Sequence, residues 1–202
     1  MDTRLHQLLQ GELQPGEEIV ASGQPNLSVH FTKSDGFLIP FSIFWCGFAI
    51  FWELSVLGIF NDPGNGGAAP LSFTLFGLPF VCIGLYFVFG RFIYKSYKKK
   101  HTYYVVTNKR VMVINDLRNK KITAAFIYQI PNINKTVRSD GVGTIIFGNA
   151  SQIQLMYGNT GMDGFGSYYG VPVPVFYDVD EADKVYQTVV QIQHEAASNN
   201  QS

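Results

Sequence analysis

The stretch GFLIPFSIFWCGFAIFWELSVLGIF at residues 36–60 carries one charged residue, Glu53, in twenty-five positions, and LSFTLFGLPFVCIGLYFVFG at 71–90 carries none in twenty. A bilayer core about 30 Å thick is crossed by about 20 helical residues, so each stretch is long enough to span it. The sequence therefore predicts an integral membrane protein. The first stretch reads as a span rather than a secretory signal, since it begins after an acidic leader containing Glu12, Glu17 and Glu18 and is too long for a signal core.

Charge sets the expected orientation. Ten basic residues lie between Arg91 and Lys121 against one acid, Asp116, whereas Asn61 to Pro70 holds no Lys or Arg. By the positive-inside rule the connecting loop is external and both termini are cytoplasmic, in a cell (inner) membrane. The total charge is zero, but the basic block at 91–121 is answered by net acidic segments on either side.

The two apolar stretches carry a readable seam. Ser42, Cys46, Ala49 and Glu53 share one helical face, and Thr74, Gly77, Val81 and Gly84 share another. Equal rise along two antiparallel helices pairs residues whose numbers sum to about 130: Cys46 with Gly84, Ala49 with Val81, Glu53 with Gly77. Small residues let helices approach closely in lipid, so these faces are expected to touch. Cys46 and Cys82 then lie on different faces and read as small apolar residues.

Glu53 is the residue that membrane physics makes expensive, at about 2.5–3.5 kcal/mol for an acid at mid-membrane. With Thr74 it forms a candidate intramembrane polar site. It reads as a proton- or cation-handling group or a contact between protomers, or else as a side chain that snorkels outward or bonds Thr74 or Ser55.

Beyond His101 the pattern changes to strands. Thr102–Val106 and Val111–Ile114 flank an Asn108-Lys109 turn, and Ile122–Ile127 forms a third strand. Ile133–Arg138 and Gly143–Gly148 flank Asp140-Gly141, and Ile153–Met156 and Val171–Phe176 complete seven. Asp178 and Glu181 read as a capping box for a closing helix with an apolar stripe at Ala182, Val185, Tyr186, Val189 and Val190. Near the start, Leu5, Leu8, Leu9 and Leu13 suggest a short amphipathic helix, followed by extended pieces at 19–21 and 27–31.

These residues resemble a known family. Tyr103-Tyr104-Val105-Val106-Thr107-Asn108-Lys109-Arg110-Val111-Met112-Val113-Ile114 looks like the opening hairpin of bacterial pleckstrin-homology domains. Tyr128-Gln129-Ile130-Pro131-Asn132-Ile133 and Gly141-Val142-Gly143-Thr144-Ile145-Ile146-Phe147 look like its central strands, and Phe176-Tyr177-Asp178-Val179 like the approach to its closing helix. The resemblance implies an α+β chain: a two-helix transmembrane hairpin, then a PH-like bent antiparallel β-barrel with a C-terminal capping helix. It implies binding or assembly rather than catalysis. The eukaryotic inositide-binding basic motif has no residue-by-residue match, so specific inositide recognition is not carried over.

The resulting organisation is a cytoplasmic N-terminal segment at 1–35 and a transmembrane hairpin at 36–94, with spans 36–60 and 71–93 and loop 61–70. A PH-like domain at 95–198 and a disordered tail at 199–202 follow. Lys95, Lys98, Lys99 and Lys100, extended by Lys109 and Arg110, are candidate contacts for anionic headgroups, although a topology signal and a protected sheet edge explain the same charges. Tyr157–Gly170, with Tyr157, Phe165, Tyr168 and Tyr169 among glycines, is a candidate partner loop. The expected partners are the membrane, a protein or a second copy. No cofactor, metal spacing, nucleophile–base set or nucleic-acid motif is visible, and the chain does not read as an enzyme. An oligomeric channel or transporter subunit with Glu53 near its pathway is the alternative.

Overall fold

A computed structural model describes residues 3–32, 34–60, 70–162 and 172–199. The chain is α+β, with two long apolar helices and two antiparallel sheets. Helix α1 (Thr3–Leu9) leads to β1 (Ile19–Gly23), and α2 (Asp35–Val56) and α3 (Leu71–Leu85) form the helical hairpin. A π-helical turn (Tyr86–Gly90) joins α3 to α4 (Arg91–Lys100) in one continuous rod. At 1.5 Å per residue the 30-residue rod is about 45 Å long, so α4 projects well beyond a 30 Å apolar layer. Both long helices are apolar enough to cross a membrane. Their outward faces leave Phe37, Phe44, Phe51, Leu71 and Phe76 exposed, a surface suited to lipid rather than water.

The hairpin packs along its small residues. A Cβ added to Gly84 would stand 2.9 Å from the Cys46 Cα, so the two backbones meet there and only glycine fits. Ser42, Cys46, Ala49, Glu53, Gly77 and Gly84 are all buried. Val81 is half-buried and Cys82 is exposed away from the seam.

Strands β2 (Thr102–Thr107), β3 (Arg110–Asp116) and β4 (Lys120–Phe126) follow α4 after a single residue. They form a four-stranded sheet in the order β1-β2-β3-β4. The partner of β2 on its other side is β1, with Gly23 opposite Tyr104 and Ser22 opposite Val105. The whole helical hairpin is therefore an insertion between two neighbouring, paired strands, and the segment before it belongs to the sheet. Strands β5 (Ile133–Val137), β6 (Gly143–Phe147) and β7 (Val175–Val179) make a second sheet, and α6 (Ala182–Asn199) closes the chain.

Both faces of β2 and β3 are covered, which is why they read as nearly unbroken apolar runs. On the outer face Leu5, Leu8 and Leu9 of α1 cover Tyr103, Val105, Met112 and Ile114. On the inner face Tyr104, Val106, Val111 and Val113 pack on Ile145, Phe147, Phe176 and Val189. The Tyr104 hydroxyl donates to the Tyr177 carbonyl at 3.0 Å and accepts from the Tyr177 amide at 2.9 Å, fastening the sheets together.

Three sequence expectations change. The two sheets do not close into a barrel. Ile153–Met156 is not a strand but lies in helix α5 (Gln152–Tyr157), started by the Ser151 hydroxyl, which accepts from the Gln154 amide at 3.1 Å; β1 is the seventh strand instead. Asp178 does not cap α6, because its carboxylate is engaged by Lys99 and Asn159. Glu181, at φ +50°, precedes the first residue of α6, and its carbonyl accepts from the Lys184 and Val185 amides.

Candidate functional site: a lysine-lined cleft at the foot of the hairpin

Arg91, Lys95 and Lys99 recur every four residues on α4 and so share one face. That face is turned inward, leaving them 0%, 3% and 4% exposed. Arg91 Nη1 meets Asp35 Oδ1 at 2.5 Å, and Asp35 Oδ2 accepts from the Thr32 amide at 2.6 Å and hydroxyl at 2.8 Å. Lys95 Nζ donates to the His30 carbonyl at 2.8 Å. Lys99 Nζ donates to the carbonyls of Asn26 at 2.9 Å and Val29 at 2.6 Å, and pairs with Asp178 Oδ2 at 2.7 Å. The segment from Asn26 to Thr32 forms no regular element, and the two lysines supply hydrogen bonds to its Asn26, Val29 and His30 carbonyls. With the Arg91–Asp35 pair they strap the start of α2 to α4.

The lysine run is thus divided. Lys95 and Lys99 are buried, and their ammonium groups bond the carbonyls of Asn26, Val29 and His30. Lys100 is exposed and Lys98 is half-buried on the remaining faces of α4. Lys109 and Arg110 do not extend the lysine surface. They sit at the β2–β3 turn, about 20 Å from α4 at 3.3 Å per strand residue. There Lys109 Nζ donates to the Pro15 carbonyl at 2.8 Å, and Arg110 Nε donates to Glu17 at 2.8 Å.

Where α4 meets the sheets, a cleft of about 170 Å³ opens between them. Lys95, Lys98 and Lys99 line it from α4, Thr102, Asn115, Lys121 and Thr123 from the four-stranded sheet, and Gln154, Tyr157 and Asn159 from around α5. Asn159 Nδ2 donates to Asp178 Oδ2 at 2.5 Å, and both residues hold positive φ, 60° and 52°. The loop after α5 also seats on the helical rod. The Tyr86 hydroxyl donates to the Gly161 carbonyl at 2.7 Å, and a Cβ on Gly161 would collide with the Arg91 carbonyl oxygen.

In the hairpin, the Glu53 carboxylate lies over Gly77, where a Cβ would collide with Oε2. Glu53 does not snorkel, being 8% exposed. It does not bond Ser55 or Thr74: the Ser55 hydroxyl donates to the Phe51 carbonyl at 2.8 Å, and both Glu53 oxygens are buried without a partner among the described residues. Beside them is an apolar hollow of about 230 Å³ walled by Trp45, Trp52, Phe76 and Phe80.

Tyr157 closes α5, and its carbonyl accepts from the Thr160 hydroxyl at 2.6 Å; Phe165, Tyr168 and Tyr169 lie outside the described residues. Among the described residues no cluster of His, Cys, Asp or Glu has metal-binding geometry. No family model, curated protein or solved structure matches this chain.

Sequence reasoning placed an extended piece at 19–21 but missed its pairing with β2, and it missed the cleft. The spacing of Arg91, Lys95 and Lys99 was the available signal, since a basic row of helical period beside Asp35 marks a buried face rather than a diffuse charged patch.

Proposed function

We propose that this chain is a two-span inner-membrane protein whose cytoplasmic, PH-like domain is a binding and assembly module for a protein partner or a second copy. One observation carries the reading. The helical hairpin is inserted between the paired strands β1 and β2; Arg91–Asp35 joins its two helices, Lys99–Asp178 fastens α4 to β7, and a single residue separates α4 from β2. Both ends of the hairpin return to one sheet, which is consistent with both helices crossing and with the turn that lacks Lys and Arg lying on the far side. Phe31, Ile93 and Tyr97, exposed around the foot of the hairpin, suit the headgroup layer. The order of four strands, three strands and a closing helix fits a PH-like arrangement. Lys98 and Lys100 add attraction to anionic lipid of about 1 kcal/mol each near the surface.

The test is photobleaching step-counting of the labelled full chain in bilayers, alone and with membranes from its own cell crosslinked to it. Assembly predicts two or more copies per spot, or a reproducible crosslinked partner on the domain. Single copies at every density with no such partner would overturn it. The unpartnered Glu53 oxygens favour a second reading, an oligomeric cation or proton path. Proteoliposome flux abolished by Glu53→Gln would support that reading, and flux-free wild-type vesicles would dismiss it.

A further inference from the structure

No Lys, Arg or His lies between Asp35 and Arg91, so the apolar part of the hairpin holds the acid Glu53 and no basic side chain. Glu53 meets the other helix at Gly77, and Arg91 comes fourteen residues after Gly77, about 21 Å further along the rod. Neither this chain nor a second copy beside it in the same orientation therefore has a cation at the depth of Glu53. The side chain is 8% exposed, and both its oxygens are buried without a partner among the described residues. A buried carboxyl that meets no donor is costly, and a donor brought from outside would satisfy it.

The carboxylate stands at the wall of a hollow. A Cβ on Gly77 would collide with Glu53 Oε2 and would lie 3.5 Å from Trp52 Cδ1, so the acid and the indole edge meet over Gly77. Gly77, Trp52 and Ala49, the last one turn from Glu53, are walls of the 230 Å³ space, and Trp45, Phe48, Phe76 and Phe80 complete it. Phe48, Trp52 and Phe76 are all exposed, so the hollow opens on the outward face of the hairpin. An apolar cavity of about 150 Å³ is enough for a benzene ring. Aromatic walls beside an acid suit an organic cation: the ring faces attract positive charge, the carboxylate supplies the counter-charge, and the walls cover the apolar body.

We propose that this hollow binds a hydrophobic organic cation, an aromatic ring system bearing an ammonium or pyridinium nitrogen, with Glu53 as its counter-ion and the two tryptophans as walls. A lipid chain or an apolar side chain of a second copy would fill the space and leave the carboxyl unmet. Entry of the ligand from the bilayer rests on the membrane placement proposed above. The match of walls and acid to a cation does not, and it requires neither a conduction path nor more than one copy.

Trp45 and Trp52 are the two tryptophans of the chain, so indole emission reports on the hollow. The full chain in phosphatidylcholine nanodiscs is titrated with N-benzylpyridinium, whose charged ring quenches indole emission, and separately with diphenylmethane, a neutral molecule of the same shape. Emission lifetimes separate bound from passing quencher. Saturable quenching by the cation is expected. Glu53→Gln, which keeps the side chain's shape, should weaken the cation about tenfold or more and leave diphenylmethane, read from the emission shift, within about twofold. Phe76→Ala, at an exposed wall, should weaken both ligands about threefold. Quenching that never saturates, cation binding unchanged in Glu53→Gln, or binding of both ligands unchanged in Phe76→Ala would overturn the site. Saturable binding of diphenylmethane without the cation would assign the hollow to a lipid chain or a neighbouring copy and overturn it as well. Cation binding in discs that hold single copies would uphold the hollow and reject the assembly reading alone, and assembly without cation binding would do the reverse.

Discussion

The two ends of the four-stranded sheet handle charge in opposite ways. At the β2–β3 turn, Glu17 accepts from Arg110 Nε at 2.8 Å and Nη2 at 3.0 Å, from the Thr107 hydroxyl at 2.7 Å and from the Gln14 amide at 2.8 Å. Its carboxylate is buried and fully answered. At the α4 end, among the described residues, Arg91 pairs with Asp35 and Lys99 with Asp178, Lys95 bonds the His30 carbonyl, and a cleft stays open. The closed end is sealed by the segment that precedes the hairpin; the open end lies where the hairpin leaves the sheet. Among the described residues, the carboxylate at the closed end has all its partners in place, whereas the α4 end keeps a cleft of about 170 Å³.

The largest effect should come from removing one of the paired carboxylates at the open end. Asp35→Ala leaves Arg91 buried without its counter-ion and should cost about 3–5 kcal/mol, read from unfolding of the full chain in detergent. The paired replacement Asp35→Leu with Arg91→Met should recover most of it. A loss below about 1 kcal/mol would mean that the pair is solvated and that the two ends do not differ as described.

At the closed end, Glu17→Gln should cost about 1.5–3 kcal/mol through its weakened hydrogen bonds to Arg110. Burial pushes the Glu17 carboxyl upward, but hydrogen bonds from Arg110, the Gln14 amide and Thr107 outweigh it and hold the value below the usual 4.5. A carboxyl depressed in the folded state contributes its stability above the unfolded value and loses it as pH falls through the folded one. Acidification below about pH 4.5 should therefore erode the wild-type advantage over Glu17→Gln, with no such convergence between pH 6 and 8.

Lys95→Met sharpens the contrast, since it removes a buried cation whose hydrogen-bond partner among the described residues is the His30 carbonyl. Its cost should stay within about 1 kcal/mol, because the lost carbonyl bond is offset by relief of a buried charge. Lys121→Gln should be the smallest, within about 0.5 kcal/mol in melting experiments, as expected for an exposed position. A loss above about 2 kcal/mol for either would show that the open end is held together by its lysines rather than kept open by them.

The hairpin was legible because its determinants are local. Apolar length gives the helices, and the periodicity of small residues places Cys46 against Gly84 and Glu53 against Gly77. The pairing of Ile19–Gly23 with β2 was hidden because strand partners across an inserted hairpin leave no trace in short-range pattern. Ile153–Met156 is a four-residue apolar and amide run whose periodicity does not separate strand from helix, and the Ser151 cap decides it. Charge alone does not separate Lys95 and Lys99 from their neighbours; their fate follows from helical phase and from unpaired carbonyls at Asn26, Val29 and His30. The cleft depends on which row of the sheet faces inward at α4, a fact set by tertiary packing.

The central claim is that the helical hairpin interrupts a pair of hydrogen-bonded strands. It is tested most directly by a disulfide between those strands. In the full chain with Cys46 and Cys82 replaced by alanine, Ala21→Cys and Val106→Cys occupy facing positions of β1 and β2. Facing residues on antiparallel strands have Cα atoms about 4.5–5.5 Å apart, within disulfide range. Mild oxidation of the folded protein should lock them together, with proteolysis in the 61–70 turn leaving the two pieces joined. The pair Ala21→Cys and Val113→Cys, separated by an intervening strand, should stay reduced. A disulfide in the Ala21→Cys/Val113→Cys variant, or none in the Ala21→Cys/Val106→Cys variant under conditions that preserve the fold, would contradict the account.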